Sequence, residues 1–566
     1  MTFPLGPLLP LIALIAPLAI GLLAAIPATR ARSLALLPLA PLPALALAFF
    51  GTQDETTLAP DLLLGVTLTL DGNARYFLGF VALLWMGAGL YATAYMRDKP
   101  KIAPFVGFWC MTLCGNLGVF LAADIITFYV SFAVVSLCAY LLVVHDGTQR
   151  ALHAGIVYIV LAVLGETCLL LGFLIGAAAA DSLLIVDVRI ALTDAPGGEA
   201  AIALLIVGFG LKAGMFPFHV WLPLAHPAAP VPASAVLSGA IVKAGIFGLM
   251  QFLPMESGLS LWGALLVITG LVSAYYGVAV GLTQRNPKSV LAYSTISQMG
   301  LVLALIGAAA GATPADNLAA ATLLSLHHGF AKGALFLSVG IVAASGRRAA
   351  VPALAAAALL ALSVAGFPGT GGALAKAAMK AHIADPIVYW LVTLSAIGTT
   401  LLLARFVMTL AAQVSAQERA RPSPIMTASF VALAVAALVS PWFFFTDLAG
   451  LPLAYSLSAS SILNGLWPVL VGGAIAAAFL RISPSVPSIP EGDLVTPVTK
   501  WLRRLDGAAR RGRSRLEDLP RPDPGVLAAP LWRAASVAER AFARWSFAGL
   551  LMAAGALGVL IALSLQ

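Results

Sequence analysis

The sequence predicts an all-α polytopic membrane protein, and three observations carry that prediction. The first is composition: of 566 residues, 61% are hydrophobic and only 10% charged, with a mean hydropathy of +0.98. No soluble globular chain of this length shows that balance. The second is the recurrence of apolar runs of about 20 residues, the length that crosses a hydrocarbon core about 30 Å thick. The third is the sorting of charge between alternate loops.

In chain order the runs fall at 3–27, 33–50, 75–95, 103–122, 125–144, 152–179, 200–220, 230–254, 258–283, 289–312, 317–345, 352–383, 386–412, 426–446, 460–480 and 546–565, about sixteen spans in all. The first run lacks a basic leading region and a small-residue cleavage site, so it reads as a span rather than a removed signal peptide. Cytoplasmic loops collect Lys and Arg. With the N-terminus outside, the inner loops receive Arg30, Arg97, Arg150, Arg285, Arg347, Arg421 and Arg481. The outer loops then hold Asp54, Asp71, Asp181, Asp194, Glu256, Asp316, Asp385 and Asp447, against only Arg75 and Arg189. This segregation argues against an extra or missing span before residue 481 and puts both termini outside, periplasmic for a bacterial inner (plasma) membrane.

The chain divides into N-terminal spans (1–102), two five-span units (103–254 and 258–412), further spans (413–482), a polar segment (483–545) and a terminal anchor (546–566). An odd number of spans per unit forces the two units into opposite orientations, the inverted-repeat design of transporters. The interrupted spans near 212 and 370 take the fourth place in each. The polar stretch Ser483–Arg544 carries eleven Lys/Arg and seven Asp/Glu. It opens proline-rich (SPSVPSIPEGD), then spaces Trp501, Leu502, Leu505 and Leu516 among arginines over Val495–Leu519, as a surface-lying amphipathic helix does. After a second proline-rich break, Leu531–Phe542 repeats the amphipathic pattern. The segment is either a solvated linker near anionic lipid or a strap along neighbouring helices.

Within this hydrophobic frame, the buried charges are the informative residues. Lys212 lies in GFGLKAGMFPFHVWLP (Gly208–Pro223), where Pro217 and the glycines prevent a regular helix. An ionisable side chain near mid-bilayer costs about 3 kcal/mol or more and usually faces a protein interior or a wet path. The alternative is a lysine that snorkels to the interface. His219, just past the break, either relays protons or caps the interrupted helix. Lys243, in AVLSGAIVKAGIFG, lies deep in its span among Ser238, Gly239, Gly245 and Gly248, small residues that predict close helix packing. His328 and Lys332, in LLSLHHGFAKGALFL, are four apart and share a helix face, while His327 points to a neighbouring helix. Lys376 follows a second break in GFPGTGGALAKAAMK (Gly366–Lys380), with Lys380 one turn on and Arg405 in the next span, each either on the path or at an interface. Glu166, in YIVLAVLGETCLLLG, is the sole glutamate deep inside a span and a natural partner for one of the lysines. Glu166, Lys212, Lys243, His328, Lys332 and Lys376 are therefore the candidate proton path.

No cofactor or metal is expected. Cys110, Cys114, Cys138 and Cys168 all fall in spans, and two thiols one turn apart make neither an iron–sulfur nor a closed zinc site. Dinucleotide, flavin and haem-attachment motifs do not occur, so any redox chemistry belongs to another polypeptide.

Four stretches together carry a resemblance: KAGMFPFHVWLPLAHPAAPVPASAVLSGAIVKAG (Lys212–Gly245), LAYSTISQMG (Leu291–Gly300), HHGFAKGALF (His327–Phe336) and GFPGTGGALAK (Gly366–Lys376). Over about residues 62–412 the chain resembles the antiporter-like subunits of the respiratory complex I superfamily, which includes energy-converting hydrogenases and multisubunit cation/proton antiporters. The resemblance implies about fourteen core helices with two inverted five-helix repeats and a proton path along a central polar axis. It implies roles for Lys212 in the first broken helix, Lys243 as the connecting lysine, His328 and Lys332 at the centre and Lys376 on the exit side. The polar segment and last span resemble, in position only, the lateral helix and anchor of the distal complex I subunit. The chain departs from the family in one place: where members carry a glutamate that pairs with the broken-helix lysine, FAVVSLCAYLLVV puts Ala133. Glu166 in the following span is the candidate substitute.

The function expected is a proton-translocating subunit of a redox-driven multisubunit complex, of the NADH:quinone oxidoreductase or membrane-hydrogenase kind. The alternatives are a subunit of a cation/proton antiporter, an ion-driven module for inorganic carbon uptake with a soluble zinc protein docked inside, and a non-conducting scaffold. Expected partners are the lipid bilayer, other membrane subunits, and protons with Na+ as the alternative ion; no nucleic-acid partner is expected.

Overall fold

Fifteen helices long and apolar enough to cross a membrane run through the described residues, one for each of the first fifteen spans expected. The structure, a computed structural model, describes residues 5–51, 56–58, 65–257, 259–310, 314–416, 421–482 and 489–493. The amphipathic stretches at Val495–Leu519 and Leu531–Phe542 and the anchor at 546–566 lie outside the described residues, as does most of the 483–545 segment.

The N-terminal part comprises α1 (Leu5–Ala25), the pair α2 (Arg30–Leu36) and α3 (Leu42–Phe50), and α4 (Gly72–Tyr95). Next come α5 (Ile102–Leu121), α6 (Ile125–Val143), α7 (Gln149–Ala180), the short α8 (Ile185–Ala191), the broken helix α9 (Gly198–Ala213) and α10 (Trp221–Ala228), then α11 (Val231–Val236) and α12 (Val242–Phe252). The second group is α13 (Ser260–Gly281), α14 (Pro287–Ala308), α15 (Pro314–Ala343), the broken helix α16 (Arg347–Ala365) and α17 (Gly371–Ala381), and α18 (Pro386–Ala411). Then follow α19 (Pro424–Ala449), the single turn α20 (Leu453–Ser456) and α21 (Ala459–Ile482).

Side-chain caps fix several starts by accepting one of the backbone N–H groups that a helix N-terminus leaves unpaired. Asp71 accepts from Ala74 N, Asp124 from Thr127 N, Thr148 from Ala151 N, Asn286 from Lys288 N and Asp385 from Ile387 N. Two of the acidic residues assigned to outer loops, Asp71 and Asp385, are thus helix caps. The sequence reading contained no strand, yet Thr56–Leu58 pairs antiparallel with Val66–Leu68. Asp124 ties this hairpin to α6, its Oδ2 accepting from Thr67 N at 2.9 Å. A local tie of this kind leaves no periodicity in a three-residue strand.

Burial differs sharply among the helices. Within their most apolar windows the α11–α12 span and α14 are 100% buried and α15 is 89% buried, whereas α7 is 39% buried and α13 is 44% buried. The first three have almost no lipid face, and they carry Lys243, His328 and Lys332. Small residues allow the close approach. On α13, Gly263, Gly270 and Gly277 recur every seventh residue. A Cβ added at Gly270 would lie 2.5 Å from the Gly300 carbonyl oxygen, and one at Gly277 would lie 2.6 Å from the Tyr293 carbonyl oxygen. Backbone-to-backbone packing of this sort drives helix association where lipid removes the hydrophobic contribution. Gly300→Val should therefore push α13 and α14 apart and destabilise the protein by about 1–3 kcal/mol, seen as a lower unfolding temperature in detergent.

Candidate functional site

Both interrupted helices end in the same way. Gly214 at φ +79° follows α9, with Met215 N bonded to Gly210 O at 2.8 Å; Gly366 at φ +97° follows α16, with Phe367 N bonded to Leu362 O at 3.0 Å. A left-handed glycine closed by a bond back across the last turn is how a helix stops without orphaning its carbonyls. Trp221 Nε1 takes a further carbonyl, Leu211 O, at 2.9 Å. Lysine then serves each helix end. Lys212 occupies the last turn of α9, and Lys376 Nζ, from α17, donates to Ala365 O at 2.9 Å, the final residue of α16. The C-terminal end of a helix carries partial negative charge, so each break favours a cation.

Lys212 is 4% exposed. Its Nζ donates to Ser136 Oγ at 2.7 Å and lies 3.5 Å from Tyr158 Oη, with the Phe132 ring 5.2 Å away. Snorkelling does not describe it. Glu166 is 8% exposed and its carboxyl group lies near both Ser136 and Lys212, while Oε1 has no hydrogen-bonding partner among the described residues. No ion pair joins Glu166 to Lys212 among the described residues; Ser136, bonded to Lys212, is near both. Sequence reasoning missed Ser136 and Tyr158. The available signal was spacing, since Ser136 lies one turn after Ala133 on one face of α6, and Tyr158 lies eight residues before Glu166 on one face of α7.

The α11–α12 span connects this cluster to the centre. A Cβ at Gly245 would lie 2.5 Å from Phe209 O and 3.1 Å from Lys212 Cβ, so α12 packs directly on the end of α9. Between α11 and α12 the chain makes a π-helical turn over Leu237–Ile241, which frees carbonyls from the regular ladder. Lys243 Nζ donates to one of them, Ser238 O, at 2.8 Å, and meets His328 Nδ1 at 2.6 Å. Glycines set that meeting: a Cβ at Gly239 would lie 2.8 Å from Gly329 O, and one at Gly329 would lie 2.9 Å from Gly239 O. Ser238 and Thr295 hydroxyls pair at 2.7 Å beside them.

Lys332, one turn along α15 from His328, donates to Leu291 O of α14 at 3.1 Å. His327 turns the other way, its Nε2 2.9 Å from Ser363 Oγ of α16, and Ser363 Oγ also accepts from Gly372 N of α17 at 3.2 Å. The neighbouring helix expected for His327 is thus the second broken helix. Lys376 and Lys380 line one cavity of about 310 Å³ together with Tyr389, Tyr455 and Asn464. Arg405 lies apart from this line, with Nε on Gln284 O at 3.1 Å. His219 is fully buried and makes no capping hydrogen bond.

The six candidate residues thus fall into three groups: Glu166 with Lys212; Lys243 with His328 and Lys332; and Lys376 at a cavity. Near the first group, Phe128, Phe173 and Phe209 surround Phe252 with ring centroids 4.9, 4.6 and 5.6 Å from it, an apolar aromatic cluster. The arrangement can hold and hand on protons between neutral and cationic nitrogen groups. The four cysteines are free thiols, Cys110 and Cys138 buried, Cys114 and Cys168 partly so.

Comparison with known proteins agrees in region. The family described as NADH:quinone oxidoreductase/Mrp antiporter, TM, matches residues 122–402, which contain all six candidates. Component B of hydrogenase-4 from Escherichia coli is 35% identical over 291 residues, 49% of this chain and 43% of that protein. A putative antiporter subunit of Staphylococcus epidermidis is 31% identical over 344 residues, 56% of this chain and 43% of that protein. The match therefore spans less than half the length of these relatives. A chain of the Mrp complex from Dietzia sp. DQ12-45-1b shares the fold at a TM-score of 0.71 and 24% identity, covering 95% of this chain and 63% of that one.

Proposed function

Because the chain belongs to the transmembrane-subunit superfamily of NADH:quinone oxidoreductases, Mrp antiporters and hydrogenase-4, we propose that it is the proton-translocating subunit of a redox-driven multisubunit complex in a bacterial inner membrane. The observation that carries this reading is the Lys243–His328 contact at 2.6 Å in the lipid-free centre, with a lysine at a helix break on either side. Lysine and imidazole both exchange protons reversibly, and a proton moved from one to the other shifts charge without moving a helix. Residues 103–254 and 258–412 act as inverted repeats, each with its broken helix in fourth place; the shared glycine stop at Gly214 and Gly366 supports this pairing. Protons enter the first repeat from inside, where the aromatic cluster separates Lys212 from the outer face. They pass through Lys243, His328 and Lys332, and leave by Lys376 into the cavity it shares with Lys380. Both termini lie outside.

The direct lysine–glutamate ion pair of the family is replaced by a relay, Glu166 to Ser136 to Lys212. Electron transfer in a partner shifts charge at one end and the lysine chain transmits it. The second reading, a cation/proton antiporter subunit, is favoured by the 31% identity to an antiporter subunit. Purification of the tagged protein from its native membrane in mild detergent, with mass-spectrometric identification of bound chains, separates the two. Iron–sulfur or hydrogenase-like subunits are expected; recovery of membrane subunits alone would overturn the redox reading in favour of exchange.

A further inference from the structure

Residues 489–493 (Ile-Pro-Glu-Gly-Asp) pack back against the ends of α7, α13 and α14 and against α10. Gln284 Nε2 donates to Ile489 O at 3.0 Å, Ser289 Oγ donates to Glu491 Oε1 at 2.6 Å, and Arg150 binds Glu491 Oε2 at 2.5 Å. The Tyr276 hydroxyl donates to Asp493 Oδ2, and the Tyr293 hydroxyl lies against the Asp493 backbone. Gly492, at φ +67°, presses on α10 so closely that a Cβ would lie 2.7 Å from Leu224 Cδ1. These five residues are held by contacts to α7, α10, α13 and α14.

Their effect is to bring a carboxylate to His219. Asp493 Oδ1 lies 3.5 Å from His219 Nε2, with the Asp493 side chain 6% exposed and the imidazole fully buried. Neither ring nitrogen of His219 has a hydrogen-bonding partner among the described residues. A carboxylate held out of water costs several kcal/mol unless a donor or cation answers it, and Tyr276, Tyr293 and His219 are among the groups near this one. His219 lies on the polypeptide between Lys212 and the inner end of α10.

We propose that Asp493 is the residue through which protons enter the path, so that the 489–493 segment is a working part of the channel mouth. This rests on the proton-path reading above. In the step, the Asp493 carboxylate takes a proton from the inner aqueous side and gives it to His219 Nε2, which restores the carboxylate and forms the imidazolium. The imidazolium then releases its Nδ1 proton to water on the way to the Lys212 cluster, leaving the Nε2–H tautomer, and proton exchange with water moves that proton back to Nδ1 so that Nε2 can accept again. No bond other than N–H and O–H is made or broken.

The test is proton flux through the purified complex in liposomes for the wild type and for Asp493→Asn, Asp493→Glu, Glu491→Gln and Gly492→Val. Asn at 493 keeps an oxygen for the Tyr276 hydroxyl but cannot be protonated in this range, so flux is expected to fall at least tenfold with unchanged assembly and unfolding temperature. Glu should restore most of it, which a purely structural contact would not explain. Gly492→Val displaces the segment while leaving both carboxylates, and should also lower flux. Glu491→Gln, which retains the Ser289 contact, should have a smaller effect. Wild-type flux in Asp493→Asn overturns this inference alone. Absence of flux in the wild-type complex overturns the proton-path reading and this inference with it.

Discussion

Lys243→Gln is expected to reduce proton flux through the reconstituted complex by about 10²-fold, the scale of losing one positioned proton-transfer group. Glutamine is close in size and still donates to Ser238 O, now 2.8 Å from the lysine, so packing in this fully buried span is kept. The loss is of a group that can be both cation and base next to His328 Nδ1. His328 Nε2 has no other hydrogen-bonding partner among the described residues, so no protein group takes over the exchange. Flux measured with a pH-sensitive dye, beside the unfolding temperature of the same preparation, checks it. Wild-type flux in a stable Lys243→Gln protein would show that the central contact is packing and would favour the scaffold reading.

Glu166→Gln should lower flux about tenfold or more, and the effect should not add to that of Ser136→Ala, because groups in one hydrogen-bonded relay are coupled. Lys212 bonds to Ser136 and Glu166 lies near both, so on the proposed relay removing either the carboxylate or the hydroxyl interrupts the same step. The alternative, a neutral glutamic acid packed against α6, leaves flux unchanged in Glu166→Gln. A gain-of-function arm is sharper. Ala133 lies one turn before Ser136, so a carboxylate introduced there approaches the same lysine, and Ala133→Glu should recover flux in the Glu166→Gln background. Failure of that rescue, with both variants folded, would mean that Glu166 acts through its position on α7 and not only as a negative charge near Lys212.

The departure at Ala133 and the candidate substitute Glu166 were legible in the sequence; the groups near Glu166 were not. Periodicity places Glu166 deep in its span but cannot say which neighbour it meets, since α7 presents a lipid face as well as a protein face. The same holds for Asp493. In the sequence it is one acid in a proline-rich stretch, and only the docking of residues 489–493 on α7, α10, α13 and α14 brings it to His219.

What the sequence by itself determined was the first fifteen spans, the two helix breaks and the residues worth suspecting. These are one-dimensional properties: a bilayer selects for run length and polarity, loop charge orders the spans, and glycine or proline interrupts a helix wherever it stands. What only the tertiary structure decided was partnership. Lys243 and His328 are 85 residues apart and Lys212 and Ser136 are 76 apart. Their meeting depends on where backbones cross at Gly239, Gly245 and Gly329. A lysine's pattern in the chain reports that burying it is costly, whereas the group that meets it comes from another helix, through packing that no local spacing encodes.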